Sequence, residues 1–351
     1  MRIIAHLDMD AFFASLEERN SPHFKGRAIV VGADPKEGSG RGVVSTANYK
    51  ARELGIHSAL PISTAFNLAK AAKEEVVFLP PDFAVYQKSS ENIYEIIKQY
   101  CHRVEQASID EFYFDLSSAK TFKKAENICL QVKKDILEKE KVTCSVGLGK
   151  NKLISKIAAS VKKPDGFLVV KRGEQFLEPL SVLKIPGIGP KTKQVLNKQG
   201  VFLIRDLKKV SLERLESLFG KWGKSMYFKA RGVDNEDIVL EREVKSIGEQ
   251  VTFEQDSSDF AFIGSELRKI CKNVFLRFIH SNFKTFKTIT LTVRFSGFQT
   301  INSSKTIEET RNIKVLELQA LKLLLPFLDR RKNPRLKSFR LIGLRLERFH
   351  S

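Results

Sequence analysis

Three acidic residues carry the first chemical signal. Asp8 closes the apolar run Ile3-Ile4-Ala5-His6-Leu7, and Asp110-Glu111 falls between two further strand-like runs, 103–107 and 112–115. A carboxylate at the end of a buried strand is costly unless hydrogen bonds or a cation satisfy it. Three of them at one sheet edge repel each other, and a divalent cation removes that cost. Oxygen-only ligation selects Mg2+ or Mn2+, and such clusters usually serve phosphoryl transfer. Plainer roles exist as well: Asp10 as the cap of a helix opening at Ala11, and Asp110 or Glu111 as turn residues. Spacing alone leaves both readings open.

A second group could grip an anion. Tyr49 and Arg52 lie three apart on a predicted helix over 46–54 and so share a face, where a guanidinium fork and a phenol can reach one phosphate. Thr46, at the start of that helix, offers its hydroxyl and nearby amides, and Lys163 adds a point charge. Phe12-Phe13 alone reads as helix core. Ile185-Pro186-Gly187-Ile188-Gly189-Pro190-Lys191 joins two predicted short helices in a helix-hairpin-helix pattern near 182–200. Gly187 and Gly189 permit the tight turn and let backbone amides approach a phosphate, with Lys191 and Lys193 adding charge. Contacts of that kind position a nucleic acid without reading its sequence. Trp222, the only tryptophan, reads as a packing residue.

The elements that must position these residues follow from periodicity. Residues 1–166 alternate short apolar runs with amphipathic stretches, an α/β (α+β) pattern. Strands are predicted at 3–7, 28–31, 42–45, 76–79, 103–107, 112–115 and 143–148, and helices at 11–19, 46–54, 63–71, 82–100, 120–139 and 152–161. That order is a ferredoxin-like layer with an insertion near 11–76, and it puts 103–107 and 112–115 beside 3–7. Short helices with Gly-centred turns fill 170–233, and a charged connector follows at 232–242. Residues 243–351 predict a second β-α-β-β-α-β unit.

Four motifs, in this order, make the chain recognisable: Asp8-Met9-Asp10-Ala11-Phe12-Phe13-Ala14-Ser15, Ser45-Thr46-Ala47-Asn48-Tyr49-Lys50-Ala51-Arg52, Ser108-Ile109-Asp110-Glu111 and Lys163-Pro164-Asp165-Gly166. They resemble the Y-family translesion DNA polymerases, most closely the bacterial DNA polymerase IV branch, and the resemblance runs on through Ile342-Gly343-Leu344-Arg345. It implies a right-hand polymerase: palm (1–10 and 77–166), small fingers (11–76), helical thumb (167–233), linker (234–242) and βαββαβ little finger (243–351). It implies that Asp8, Asp110 and Glu111, with the Met9 carbonyl, hold two Mg2+ ions, Mn2+ serving as substitute. Phe12, Phe13, Ser45, Thr46, Tyr49, Arg52 and Lys163 would bind the nucleotide, with Phe13 as the steric gate against ribose. Small residues at 42–45 would roof the nascent base pair and check its shape weakly, which implies low fidelity. Gly187, Gly189, Lys191, Lys193, Lys245 and Arg294 would hold the DNA backbone. The implied partners are primer-template DNA and dNTPs, met as a monomer in a bacterial cytosol beside the nucleoid. A sliding clamp is a further candidate, although the short clamp-binding peptide of glutamine and leucines that bacterial relatives carry does not follow Leu346-Glu347-Arg348-Phe349-His350-Ser351.

Charge agrees with a polyanionic partner. The 351 residues carry 60 Lys and Arg against 41 Asp and Glu, a formal charge of +19. Residues 241–351 hold 21 basic and 12 acidic side chains, and two tracts, 267–307 and 330–346, hold eight and seven basic residues with no acid. Unneutralised like charges in a folded segment fit a nucleic-acid surface. No apolar run approaches the ~20 residues of a membrane span, and the early acids argue against a signal peptide. The four cysteines stand far apart and read as reduced packing residues. A DNA-binding protein without catalysis would have no need of Asp8, Asp110, Glu111, Tyr49, Arg52 and Lys163 together. A nucleotide cyclase would need a Gly-Gly-acid loop, which is missing, and a deoxycytidyl transferase usually carries extra segments.

Overall fold

The structure, a computed structural model, describes residues 1–350. Its contacts divide it into two units: residues 1–38 with 43–241, and residues 39–42 with those from Arg242 on.

In the first unit β1 (Ile4–Met9) leads to α1 (Phe12–Asn20), β2 (Ala28–Gly32), β3 (Val44–Ala47), α2 (Tyr49–Glu53), α3 (Ile62–Ala72) and β4 (Val76–Leu79). Then come α4 (Phe83–Lys98), β5 (Val104–Gln106), β6 (Glu111–Asp115), α5 (Phe122–Glu140), β7 (Cys144–Gly149), α6 (Lys152–Val161) and β8 (Phe167–Val169). Five short helices close the unit: α7 (Gly173–Leu177), α8 (Pro190–Asn197), α9 (Ile204–Lys208), α10 (Leu212–Phe219) and α11 (Lys221–Ala230). The second unit holds β9 (Ser246–Ser257), α12 (Phe260–Ile279), β10 (Thr285–Phe295), β11 (Thr300–Thr310), α13 (Ile313–Leu328) and β12 (Phe339–His350).

The central sheet runs β5-β6-β1-β7-β8. Its first four strands have the ferredoxin-like order, with β8 added in parallel to β7. β1 therefore lies between β6 and β7, both antiparallel to it. The expectation that residues 103–107 also flank β1 is corrected: β5 pairs only with β6, at the edge. Alternation along β1 explains its two faces. Ile3, Ala5, Leu7 and Met9 join Phe112, Phe114, Val146 and Leu148 in a core covered by α4 and α5. Ile4, His6 and Asp8 point to the opposite face, which α6 covers in part. At Gly147 the approach is so close that a Cβ would lie 2.0 Å from the Ser155 carbonyl oxygen. Only glycine lets α6 sit there, and α6 brings Lys152 and Lys156 over this face.

The connector expected at 232–242 is no free tether in its first part. Asn151 Nδ2 donates to the Gly232 carbonyl at 2.8 Å, and the Leu153 amide to Asp234 at 2.8 Å. Ile238 is buried against Ile4 and Tyr113. The Val239 amide donates at 2.9 Å to Glu105, whose buried carboxylate is paired with buried Lys152 at 2.8 Å. Of the acids in this stretch, Asp234 accepts from the start of α6, Glu236 lies 3.7 Å from the Lys152 ammonium and Asp237 pairs with Arg103.

β2, β3 and β4 form a small separate sheet, β4 parallel to β2. In the second unit the element order repeats as β-α-β-β-α-β, but the sheet runs β11-β10-β12-β9, a different strand order. One face packs α12 and α13 into a second core. All four cysteines are free and buried. Among the described residues no helix is long and apolar enough to cross a membrane.

Candidate active site

The register sets Asp8 directly opposite Glu111 across β1 and β6. Like charges at facing positions of an antiparallel pair destabilise it, and two lysines answer them. The Lys163 ammonium is bonded to Asp8 Oδ1 and lies 3.4 Å from the Met9 carbonyl oxygen. The Lys156 ammonium donates to both Glu111 oxygens, at 2.7 and 2.5 Å. His6, buried beneath them, places Nε2 3.7 Å from Glu111, beyond hydrogen-bond reach, and neither ring nitrogen has a hydrogen-bond partner. Burial holds the His6 imidazole below its usual pKa, hence neutral near pH 7.

The two carboxylates respond in opposite directions. Burial raises Asp8 above the usual range in spite of Lys163. For Glu111 burial pushes the same way, but the Lys156 ammonium on both of its oxygens outweighs it and brings the carboxyl down to about 2. Asp110 stands apart: its exposed carboxylate accepts from Ser108 Oγ at 2.6 Å. Among the described residues no three Asp, Glu, His or Cys side chains are gathered so as to hold a metal.

The donors present nonetheless suit a hard divalent ion. Asp8 and the Met9 carbonyl already share one cation, an ammonium, and every donor in the set is oxygen, the chemistry Mg2+ selects. Asp8, Met9 and Glu111 would hold such an ion, with Asp110 able to join by turning away from Ser108.

Around this centre lie the other residues singled out in the sequence. Thr46 is not at a helix start: it pairs with Val31 within β3. Asn48 takes the N-cap of α2, accepting from the Ala51 amide at 3.1 Å, and the helix opens at Tyr49. Ser45 precedes Thr46 on the same short strand. The Arg52 guanidinium stacks 4.8 Å from the Tyr49 ring, and its Nε donates to the Ala47 carbonyl at 2.8 Å. Phe12 is buried in the core. Phe13 is half-buried, its ring stacked on Tyr86 at 4.2 Å between centroids and 11° between planes. Val43 is 49 % exposed while Val44 is buried.

Asp10 does not cap α1. The N-cap is Ala11, in the left-handed region at φ 46° with no side-chain cap, and the Asp10 carboxylate turns inward. Asp10, His6, Lys156 and Tyr86 are the site residues that motif reading passed over. The one signal for Asp10 was its spacing of two from Asp8, the strand repeat that puts both on one face.

The hairpin segment differs from expectation in its first arm, a single 3-10 turn at Val182–Lys184 instead of a helix. Gly187 has φ 98° and Gly189 is the N-cap of α8, with no atom within 4 Å of where its Cβ would stand. Trp222, expected to pack, is 61 % exposed, although its ring edge lies against Gly187. Lys191 and Lys245 are exposed, and Arg294 on β10 donates from Nε to Thr300 at 2.8 Å.

A pH prediction follows from Glu111. Its folded pKa is depressed from 4.5 to about 2, so it stabilises the fold above pH 4.5 and loses that contribution as pH falls toward 2. After discounting for partial exposure, Glu111→Gln should cost about 1–2 kcal/mol at pH 7 and flatten the acid limb of the stability curve, read by urea unfolding.

Residues 7–160 match the impB/mucB/samB family, residues 244–351 its C-terminal domain, and residues 183–234 the DNA polymerase-iota thumb domain. The chain is 41% identical over 347 residues to DNA polymerase IV 2 of Methanosarcina mazei, covering 98% of this chain and 91% of that protein. It is 37% identical over 346 residues to DNA polymerase IV of Clostridium perfringens, covering 98% and 93%. Among solved structures it resembles the Y-family DNA polymerase chimera Dbh-Dpo4(243-245)-Dbh, with a TM-score of 0.88, 28% identity and 99% of each chain covered. An insertion ternary complex of Dbh DNA polymerase gives 0.68 at 28% identity, again over 99% of each chain. With its paired carboxylates and its hairpin, the chain belongs to the impB/mucB/samB family, the Y-family DNA polymerases.

Proposed function

We propose that this chain is a template-directed DNA polymerase of low fidelity and low processivity that extends a primer past damaged or mismatched template bases. The observation that carries this reading is the facing pair Asp8 and Glu111, balanced by the Lys163 and Lys156 ammonium groups on the sheet face that α4 and α5 leave open. Residues 1–10 and 77–166 serve as palm, 11–76 as fingers, 167–233 as thumb, 234–242 as linker and 243–351 as the little finger.

Asp8, Asp110 and Glu111, with the Met9 carbonyl, would hold two Mg2+ ions, or Mn2+ in their place. Such ions lower the pKa of a primer 3′-hydroxyl and neutralise charge on the phosphates during in-line displacement. The chain's own cations do the rest. Lys163, which rests on Asp8 in this structure, would give its charge to the triphosphate. Arg52 spends Nε on its own backbone and leaves its Nη donors for phosphate oxygens, beside the Tyr49 hydroxyl. Phe13, held flat by Tyr86, stands where a 2′-hydroxyl would collide. Ser45 and Val43 face the base pair with short side chains. Gly187, Gly189, Lys191 and Lys193 hold phosphates at the thumb, and Lys245 and Arg294 hold them at the little finger, so binding should weaken steeply with salt. The enzyme acts as a monomer in the cytosol, beside the nucleoid.

Primer extension with four dNTPs and Mg2+ tests this reading. Wild type should extend and Asp110→Ala should not. If neither extends while both shift the duplex in a gel, the protein binds DNA without copying it. In the same assay Phe13→Ala should raise ribonucleotide insertion at least about tenfold, since a gate acts by steric exclusion of one hydroxyl; unchanged sugar discrimination removes Phe13 from that role.

A further inference from the structure

Asp10 is the most heavily hydrogen-bonded carboxylate near the site, and no role assigned so far uses it. It is 2 % exposed. Oδ1 accepts from Ser145 Oγ at 2.8 Å and, at a longer 3.4 Å, from the Tyr49 hydroxyl. Oδ2 accepts from Thr143 Oγ1 at 2.9 Å and from the Asp165 amide at 2.8 Å. These donors come from three places: the start of β7, the first residue of α2, and the turn Lys163-Pro164-Asp165-Gly166. A buried carboxylate is tolerated when donors of this number satisfy it.

The turn is the part that bears on chemistry. A second tie runs from the Gly166 amide to Ser145 Oγ at 3.1 Å. Lys133 braces it from behind, its ammonium donating to Asp165 Oδ1 at 2.8 Å and to the Gly166 carbonyl at 3.1 Å. With Asp165 and Gly166 fixed, Lys163 is left with little freedom except along its own side chain, which ends on Asp8 and the Met9 carbonyl.

We infer that Asp10 is a positioning residue: its acceptor oxygens pin the 163–166 turn to the end of β1, setting the Lys163 ammonium in register with Asp8 two residues away. The chain thereby places a carboxylate and the cation that must alternate between it and an incoming phosphate on one short rigid frame. Preorganisation of that kind acts on substrate binding more than on the chemical step. The acceptor geometry carries the role, not the charge. Of the four donors, three are hydroxyls that can rotate, and only the Asp165 N–H is fixed and must meet an acceptor. An asparagine keeps one oxygen for it and an alanine keeps none. The inference rests on the reading of Lys163 as a triphosphate contact.

Single-nucleotide insertion kinetics on a primer-template, with thermal unfolding of the same samples, test it. Asp10→Ala should raise KM for the dNTP about tenfold with kcat changed less than about threefold, the loss expected for ground-state binding. Asp10→Asn should restore KM to within about twofold of wild type. In a Lys163→Ala background Asp10→Ala should add almost nothing, because both changes remove the same contact. If Asp10→Ala lowers the melting temperature and leaves KM unchanged, or if Asp10→Asn is as impaired as Asp10→Ala, the inference is overturned. A full additional factor in the Lys163→Ala background overturns the role of Asp10 alone. A normal KM in Lys163→Ala by itself overturns the reading of Lys163 beneath it. Should Asp10→Ala not fold, Ser145→Ala cuts the other tie to the same turn, and its effect on KM should likewise vanish in the Lys163→Ala background.

Discussion

Two carboxylates facing each other across a pair of antiparallel strands are the constraint from which the rest of this site follows. The ferredoxin-like strand order puts β1 between β6 and β7, and the register then sets Asp8 opposite Glu111 on one side and Ser145 on the other. Nothing in packing rewards that arrangement. It is tolerated because Lys163 and Lys156 reach it from different elements, a turn and a helix. The opposite shifts of the two groups show how uneven the compensation is: Glu111 is well served by its partners, whereas burial outweighs what Lys163 does for Asp8. A centre left short of positive charge at one carboxylate is one that gains from a divalent cation.

Buried polar groups elsewhere in the first unit are satisfied one by one, and each links segments distant in sequence. Glu105 and Lys152 join the edge of the sheet, α6 and the backbone of residue 239. Asp10 joins β7, α2 and the 163–166 turn. Removing one partner of such a network leaves a desolvated group behind, which costs more than the bond itself contributes. These networks fix where the turn, α2 and α6 stand, and the fixed elements carry the lysines and the tyrosine of the site.

Much of this was legible in the residues. The apolar run ending in Asp8, the tetrapeptide Ser108-Ile109-Asp110-Glu111 and the glycines of the hairpin each announce themselves by type and spacing, and the alternation of elements points to the right kind of layer. The misses have physical causes. The pattern over 46–54 predicts a helix from its first residue, but the Asn48 side chain caps α2 and leaves Thr46 to β3. Asp10 stands one residue before a helix, as a cap does, yet three of the four donors that claim it lie more than 130 residues away in sequence. Lys156 could not be found at all from spacing, because its reach to Glu111 depends on the glycine at 147 that lets α6 lie close to β7. The acids at 234, 236 and 237 read as part of a charged connector, and in the fold Asp234 accepts from the start of α6 while Asp237 pairs with Arg103 at 2.9 Å.

The fold bears a cost at Asp8 that a divalent cation would relieve. Thermal unfolding of wild type and Asp8→Asn, each in EDTA and in Mg2+, measures this directly. The neutral amide should melt higher than wild type in EDTA, since burial makes the ionised form of Asp8 less favourable in the folded chain than in the unfolded one. Mg2+ should raise the melting temperature of wild type alone. A variant that melts lower in EDTA, or an equal rise with Mg2+ in both proteins, would contradict it.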